Sequence, residues 1–351
     1  MKTRELLLSA AILLTLVVPV AANPPRQVSS EQTDKAAALF DAVAKDYPAL
    51  NVTVRRNGRI VWEREGGSAP DDHDGVTRKY NFYSTAKMLT GLAFARLEQK
   101  GLDLSRSVRT IDPKLPDTYQ AVTLRQLLSH TSGVRHYEES GEDWQKFSDR
   151  RCAVPAQALP QFINDPLSFS PGERLQYSSY GFVLLSHLLV MLTGAPTYDD
   201  AMRQVLGKAY SEQLDRPGAD KAVPYLLKDG HLVPLNHLSA ECKFGAGGMI
   251  GSSRDLALTG EALYEGRIVD LRRIGQMFQP TGPQNPFSHG TVTRTENGVH
   301  ILGHSGGSPG GRGYLEVWIE PKVAIGITGN LNGPDLRGLA SGLGEIFAAG
   351  G

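Results

Sequence analysis

The sequence predicts an α+β fold in which an antiparallel sheet is flanked by the N- and C-terminal helices and a mostly helical lobe is inserted. Three observations support this prediction: a hairpin pattern near the start, apolar helical segments in the middle, and strand patterns before a final amphipathic helix. That order brings strands from both ends of the chain into one sheet. We therefore predict an α/β lobe from residues 23–103 and 245–351, and a helical lobe from residues 104–244.

Residues 1–22 are typical of a signal peptide. Lys2 and Arg4 precede an apolar run from Leu6 to Val20, and Val20-Ala21-Ala22 supplies small residues for cleavage. The run is short for the roughly 20 residues that span a bilayer. We expect cleavage near Ala22, a periplasmic or secreted chain and no stable membrane span after processing; the alternative is a retained membrane anchor.

The segments after this leader predict a helix followed by a hairpin. Residues 31–45 carry apolar side chains at helical spacing, and Pro48 closes the segment. Asn57-Gly58 then separates two runs with β-branched residues, 51–55 and 59–63, and this dipeptide between such runs is typical of a hairpin turn.

The middle of the chain predicts four helices with boundary signals. Thr123 and Gln126 have the spacing of a capping box, and Gly194 follows an apolar run as a C-terminal signal. The predicted helices are residues 84–101, 122–129, 179–193 and 197–206.

The end of the chain predicts three strands and a helix. Residues 314–320 alternate between two faces, as in a strand, and residues 335–348 place their apolar side chains on one face of a helix. The predicted strands are residues 299–302, 313–320 and 322–329.

Composition and charge exclude several classes of function. There are 37 lysine and arginine residues and 37 aspartate and glutamate residues, so the formal net charge is zero. No basic patch indicates a nucleic-acid binder.

Cys152 and Cys242 either form a disulfide in an oxidising compartment or remain separate thiols. The acidic run 71–74 has no metal-ligand spacing, and we predict neither a metal nor a cofactor.

Ser84-Thr85-Ala86-Lys87 is the first candidate for catalytic chemistry. Residues three apart share one face of a helix, so the Lys87 amine can approach the Ser84 hydroxyl. A helix N-terminus disfavours a cation and stabilises an anion, which lowers the pKa of the lysine and supports an oxyanion beside the serine. The alternative is an N-cap serine with an exposed lysine.

Two further motifs follow along the chain. Tyr177-Ser178-Ser179 opens an apolar helix, where a tyrosine can present its hydroxyl to a cleft; the alternative is a half-buried aromatic. His304-Ser305-Gly306-Gly307 precedes a strand, and its glycines allow close approach of a ligand to backbone N–H groups. The alternative for this motif is a turn with a surface histidine.

Residues 303–307 also fit Gly-x-Ser-x-Gly, the nucleophile elbow of α/β-hydrolases. That elbow joins a strand to a helix, and the aspartate and histidine of the triad follow it in the chain. A strand follows here instead, and His304 is the last histidine. The α/β-hydrolase interpretation therefore fails on chain order.

Taken in their order, the three motifs resemble those of the superfamily of class C β-lactamases, D,D-peptidases and family VIII serine esterases. The resemblance covers the chain from about Ala37 to Phe347. It implies a β-lactamase/transpeptidase-like fold and a serine hydrolase that acts through a covalent acyl-enzyme on an amide, peptide or ester bond. Intervening segments that share it are residues 127–133, 180–182, 245–248 and 252–257.

The resemblance also implies a role for each motif residue. Ser84 would be the acylated nucleophile, Lys87 its activating base and Tyr177 the group that relays the proton to the leaving group. His304 completes the catalytic set at the position of the lysine in the family's Lys-Thr-Gly motif, and the backbone N–H groups of Ser84 and Gly307 would form the oxyanion hole. The residues implied to bind substrate are Ser179, Ser305 and Gly306.

Two departures from the family pattern bear on the substrate. Ser179 replaces the asparagine of Tyr-x-Asn, and His304, mostly neutral at pH 7, replaces a lysine that holds a carboxylate. We therefore expect a peptidase or esterase acting on small-molecule or peptidoglycan-derived substrates rather than a dedicated β-lactamase. Separately, we expect a monomer. The alternative is a non-catalytic protein that binds peptidoglycan or a partner on the same scaffold.

Overall fold

The part of the chain that the computed structural model describes comprises residues 28–69, 75–137, 150–216, 218–235 and 240–349. The predicted signal peptide and the acidic run 71–74 lie outside the described residues.

The strands pair antiparallel, and the largest sheet joins the two ends of the chain. They are β1 Leu50–Arg56, β2 Arg59–Gly66, β3 Tyr80–Asn81, β4 Gln213–Leu214, β5 Tyr225–Lys228, β6 His231–Pro234, β7 Met249–Gly251, β8 Phe287–Ser288, β9 Thr291–Glu296, β10 Val299–Ser308, β11 Gly311–Trp318 and β12 Val323–Gly329. The seven-stranded sheet has the order β2-β1-β12-β11-β10-β9-β8. Asn57 and Gly58, between β1 and β2, have φ of 49° and 77°, as the type I′ turn of the predicted hairpin requires.

Helices cover both faces of this sheet. They are α1 Ser30–Ala44, α2 Ala86–Gln99, α3 Leu124–Leu128, α4 Ser179–Thr193, α5 Tyr198–Leu206, α6 Ser253–Tyr264, α7 Leu271–Met277 and α8 Arg337–Ala348. Helices α1 and α8 pack together on one face, where the rings of Phe40 and Phe347 contact Trp62. Helix α6 approaches the other face closely, because a Cβ at Gly260 would lie 2.7 Å from the Ala324 Cβ. The predicted α+β fold is confirmed.

Helices α2 to α5 pack beside the sheet around a second apolar core. Helix α4 matches its predicted bounds: the Ser178 hydroxyl accepts the Gly181 N–H at 2.9 Å, and Gly194 ends the helix at φ 67°. Among the described residues, no single helix is long and apolar enough to cross a membrane. Helix α4 and residues 198–209 have that length and composition only when taken together, and they meet at a bend of 67°. The lobe boundaries at 103/104 and 244/245 stay predictions.

Several elements differ from the predictions. Helix α2 begins at Ala86 rather than Ser84, because Tyr83–Thr85 forms a 3-10 turn with Tyr83 at φ 43°. Strands β3, β4 and β7 form a separate three-stranded sheet, and β5 pairs with β6. These strands span only two to four residues, which is too short for an alternating pattern to be read from the sequence.

Cys152 and Cys242 form a disulfide, with their Cα atoms 5.1 Å apart. The neighbouring Glu241 carboxylate accepts a hydrogen bond from the Cys152 N–H at 3.0 Å. The disulfide and this hydrogen bond therefore both join Cys152 to the Glu241–Ala246 turn. That turn reaches the Ser84–Lys87 motif, because the Ala246 carbonyl accepts a hydrogen bond from the Lys87 amine. The bridge therefore holds a segment that contributes directly to the surroundings of Lys87.

We predict that a Cys152→Ser/Cys242→Ser variant loses about 2–4 kcal/mol of unfolding free energy, since the bridge closes a loop with a sequence separation of 90 residues. Urea unfolding of both proteins, with and without reductant, measures this loss. Reductant should shift the wild type toward the variant and leave the variant unchanged; equal stabilities under oxidising conditions would contradict a stabilising role.

Candidate active site

Ser84 and Lys87 lie beside each other where the 3-10 turn passes into α2. Ser84 is half-buried in the turn, and the Lys87 Nζ is 3.1 Å from its Oγ. The three-residue spacing thus juxtaposes the two groups as the sequence predicted.

The Lys87 amine is completely buried and has few partners. Its Nζ donates to the Ala246 carbonyl at 2.5 Å and lies 4.9 Å from the ring centroid of Tyr177 and 5.7 Å from that of Phe182. Burial, together with the positive charge of Lys243, lowers the pKa of Lys87 well below 10.5. A neutral amine in contact with the Ser84 hydroxyl can accept its proton.

The outer edge of β10 faces this turn. Strand β9 pairs with β10 only as far as Gly303, so the edge from His304 onward is free of β9. The Thr85 hydroxyl donates to the His304 carbonyl at 3.3 Å. At Gly306 a Cβ would lie 1.8 Å from the Phe82 carbonyl oxygen and 2.8 Å from the Ser84 nitrogen, so this close approach requires glycine.

The register of β10 with β11 fixes the direction of the Gly307 N–H. A two-residue turn, Pro309-Gly310, closes this hairpin, so the flanking pair Ser308 and Gly311 is the hydrogen-bonded one. Because hydrogen-bonded and non-hydrogen-bonded pairs alternate, Gly307 directs its N–H away from β11. This geometry leaves the Gly307 N–H available on the edge that approaches the Ser84 nitrogen.

His304 is buried on the Gly306 side of β10 and is neutral. Its Nδ1–H donates to the Ser305 carbonyl at 2.5 Å, which leaves Nε2 as an acceptor with no hydrogen-bond partner among the described residues. Burial and then the positive charge of Lys87 lower the pKa of His304 to about 3. The centroid of its ring lies 6.2 Å from that of the Tyr177 ring, so the motif that begins at His304 is adjacent to the motif that begins at Tyr177.

Two histidines that the sequence analysis did not assign to the site hold the backbone after Tyr177. The His130 Nδ1 accepts the Ser178 N–H, and the His136 Nδ1 accepts the Ser179 N–H, both at 3.1 Å. Their rings lie 4.4 Å and 5.5 Å from the Tyr177 ring. Burial lowers the pKa of His136 to about 4 and that of His130 well below 6.5, so both remain neutral acceptors.

The predicted substrate-binding residues divide between two locations. Ser179 is buried in the first turn of α4, and Gly306 is buried against the Ser84 turn. Ser305 is half-buried and points to the opposite face of β10 from His304, because successive strand side chains alternate. Within the described ranges, no group of three or more His, Cys, Asp or Glu side chains is arranged to hold a metal ion.

Comparisons with known proteins identify the family to which the chain belongs. A family model described as Beta-lactamase matches residues 36–343. The human mitochondrial serine β-lactamase-like protein LACTB is 26% identical over 300 residues, covering 64% of this chain and 54% of that protein. Penicillin-binding protein 4* of Bacillus subtilis (strain 168) is 27% identical over 305 residues, covering 78% and 66%. The chain therefore spans about half to two thirds of the length of these relatives.

A D-stereospecific amidohydrolase from Streptomyces sp. has the same fold. Its structure matches with a TM-score of 0.72 at 23% identity, covering 91% of this chain and 99% of that one. The family model extends from α1 into α8 and includes all three motifs. The chain therefore belongs to the β-lactamase family, within the β-lactamase-related superfamily of serine hydrolases.

Proposed function

We propose that the chain is an exported serine hydrolase that forms a covalent acyl-enzyme at Ser84 and cleaves an ester, amide or peptide bond. The observation that carries this proposal is the contact between the Ser84 Oγ and the buried Lys87 Nζ at 3.1 Å. A lysine whose pKa is lowered by burial is a suitable base for activating a serine. Export rests on the signal-peptide pattern of residues 1–22.

Acylation would proceed by attack of the Ser84 Oγ on the carbonyl carbon while Lys87 takes the hydroxyl proton. The N–H groups of Ser84 and Gly307 would stabilise the negative charge on the carbonyl oxygen. The Tyr177 hydroxyl would pass a proton to the leaving group as its bond to the carbonyl carbon breaks. Water, deprotonated through the same groups, would then release the acid and restore Ser84.

The neutral state of His304 bears on the choice of substrate. A histidine with a pKa near 3 carries no charge at neutral pH, so it supplies no cation for a β-lactam carboxylate. For this reason we favour a peptidase or esterase over a dedicated β-lactamase. The family includes a penicillin-binding protein, and the fold is shared with an amidohydrolase, which supports amide and peptide bonds as candidates.

A fluorophosphonate probe followed by peptide mapping tests the nucleophile. We expect labelling at Ser84 in the protein beginning at Asn23, loss of labelling in Ser84→Ala and retention in Ser305→Ala, which removes a serine from the same region. Absence of labelling in the folded wild type would favour the binding-protein alternative. Labelling that persists in Ser84→Ala would identify another nucleophile.

A substrate panel then ranks the possible substrate classes. It compares the rates of hydrolysis of a chromogenic cephalosporin, a short-chain aryl ester and a D-Ala-D-Ala peptide.

The acid limb of the pH profile of kcat/KM should report the pKa of Lys87, because only the neutral amine can accept the serine proton. Activity should fall as the pH drops through the lowered pKa of Lys87. Lys243→Met removes a neighbouring positive charge, so it should raise the pKa of Lys87 and move this limb to higher pH. Lys243→Arg and the exposed-site control Lys208→Met should leave the limb in place; a limb unmoved in Lys243→Met would contradict this coupling.

Tyr177→Phe should lower kcat by roughly 10²–10⁴-fold with little change in thermal stability, since proton transfer contributes in this range. The phenyl ring keeps the contacts with His130 and Lys87 and removes only the hydroxyl. Steady-state kinetics and a melting curve measure both quantities. A rate within threefold of the wild type would remove Tyr177 from the proton relay.

A further inference from the structure

His130 contacts the backbone on both sides of Tyr177. Its carbonyl accepts a hydrogen bond from the Gln176 N–H at 2.9 Å, and its Nδ1 accepts one from the Ser178 N–H at 3.1 Å. The Ser178 N–H and the Tyr177 carbonyl belong to one planar peptide unit, so the second bond restricts the ψ angle of Tyr177. His130 therefore fixes the chain immediately before and immediately after the proposed proton donor.

The ring of His130 also restricts the side chain of Tyr177. The centroids of the two rings lie 4.4 Å apart, and their planes are inclined by 35°. His130 is itself only 1% exposed, and its ring centroid lies 5.1 Å from that of Phe182, so it cannot move aside without disturbing the core. The backbone and the side chain of Tyr177 are thus held by the same residue.

The conformation of His130 is an unfavourable one. Its φ is 60°, in the left-handed region that non-glycine residues rarely adopt. Burial lowers the pKa of His130 well below 6.5, so the ring is neutral, and because Nδ1 accepts a hydrogen bond, the hydrogen is on Nε2. That Nε2 is buried and has no hydrogen-bond partner within the described ranges. Strain of this kind is concentrated at functional sites, where the surrounding structure maintains it.

We propose that His130 is a positioning residue for the proton relay: it holds the Tyr177 hydroxyl in the place from which it protonates the leaving group. The inference rests on the proposed acyl transfer at Ser84. Lys87 takes the Ser84 proton, and Tyr177 gives its own proton to the leaving atom as the bond to the carbonyl carbon breaks. The Lys87 ammonium then returns a proton to the Tyr177 oxygen, which restores both groups.

The need for this relay depends on the leaving group. An alkoxide or an amide anion is too basic to leave without a proton, whereas 4-nitrophenolate is a stable anion. 4-Nitrobenzyl acetate and 4-nitrophenyl acetate carry these two kinds of leaving group on the same acetyl group, so both form the same acyl-enzyme. The ratio of their kcat/KM values, benzyl ester over phenyl ester, therefore measures protonation of the leaving group by Tyr177.

Two variants remove the ring acceptor of His130 with opposite effects on folding. His130→Gly relieves the strain at φ 60° and leaves a cavity, whereas His130→Phe keeps the ring packing and removes the nitrogen acceptor. Each should lower the ester ratio at least 10-fold, because proton transfer contributes roughly 10²–10⁴-fold. His130→Asn should keep the ratio within threefold of the wild type, since asparagine tolerates this φ and supplies a side-chain acceptor.

A double-mutant cycle with Tyr177→Phe separates positioning from a merely structural role. Tyr177→Phe alone should lower the ratio at least 10-fold, and adding His130→Gly should change it by less than twofold, because the hydroxyl is already absent. His289→Gly is the matched control: His289 is also a buried histidine, with φ of 48°, but its ring contacts Glu98 and Ser288. It should lower the melting temperature and leave the ratio within twofold.

Fluorophosphonate labelling at Ser84 shows which variants have a folded site. A wild-type ratio in Tyr177→Phe or in either labelled acceptor-free variant of His130 overturns the inference, and so does a loss in His130→Asn as large as in those variants. An independent, multiplicative effect of His130→Gly in the Tyr177→Phe background overturns it as well. Failure of the proposed function looks different: the wild type then hydrolyses neither ester and Ser84 is not labelled.

Discussion

The burial of the Lys87 amine is the constraint on which the rest of the site depends. An ammonium group taken out of water is strongly disfavoured unless it is paired, and no carboxylate of the described residues lies within 4.0 Å of this one. Its neighbours are the Ser84 hydroxyl, the Ala246 carbonyl and the faces of two aromatic rings. The protein therefore stabilises the neutral amine, which is the form that can act as a base.

Keeping these neighbours in place requires three separate segments to meet. The 3-10 turn contributes Ser84, the Glu241–Ala246 turn contributes the carbonyl, and the edge of β10 packs against the 3-10 turn through Gly306. Tyr83 and Phe244 both have φ of 43°, a conformation that non-glycine residues rarely adopt. Such strain persists only where the surroundings enforce it, and the disulfide at Cys242 is one such restraint.

Local patterns predicted those parts of the molecule that depend on local interactions. The capping box at Thr123 and Gln126, the Asn57-Gly58 turn and the glycine end of α4 follow from neighbouring residues, and the structure contains all three. The spacing of Ser84 and Lys87 is also local. The disulfide could not be decided from the sequence, because pairing depends on a Cα distance between residues 90 positions apart.

The remaining parts of the site depend on tertiary contacts. His130 and His136 come 48 and 43 residues before the backbone groups they hold, and no spacing rule connects them. Lys243 and the Ala246 carbonyl belong to the Glu241–Ala246 turn, which approaches the Ser84–Lys87 motif through tertiary contacts. A sequence motif identifies side chains that can take part in a reaction. It does not identify which backbone carbonyl or charged side chain from another segment will lie next to them.

The charge of Lys87 is the most direct test of this account. Carbon NMR of protein labelled at the lysine ε-carbon, with the Lys87 signal identified by its loss in Lys87→Met, follows its titration in the resting enzyme. The account predicts a midpoint well below 10.5, apart from the signals of the exposed lysines. A Lys87 signal that titrates together with those of the exposed lysines would contradict it.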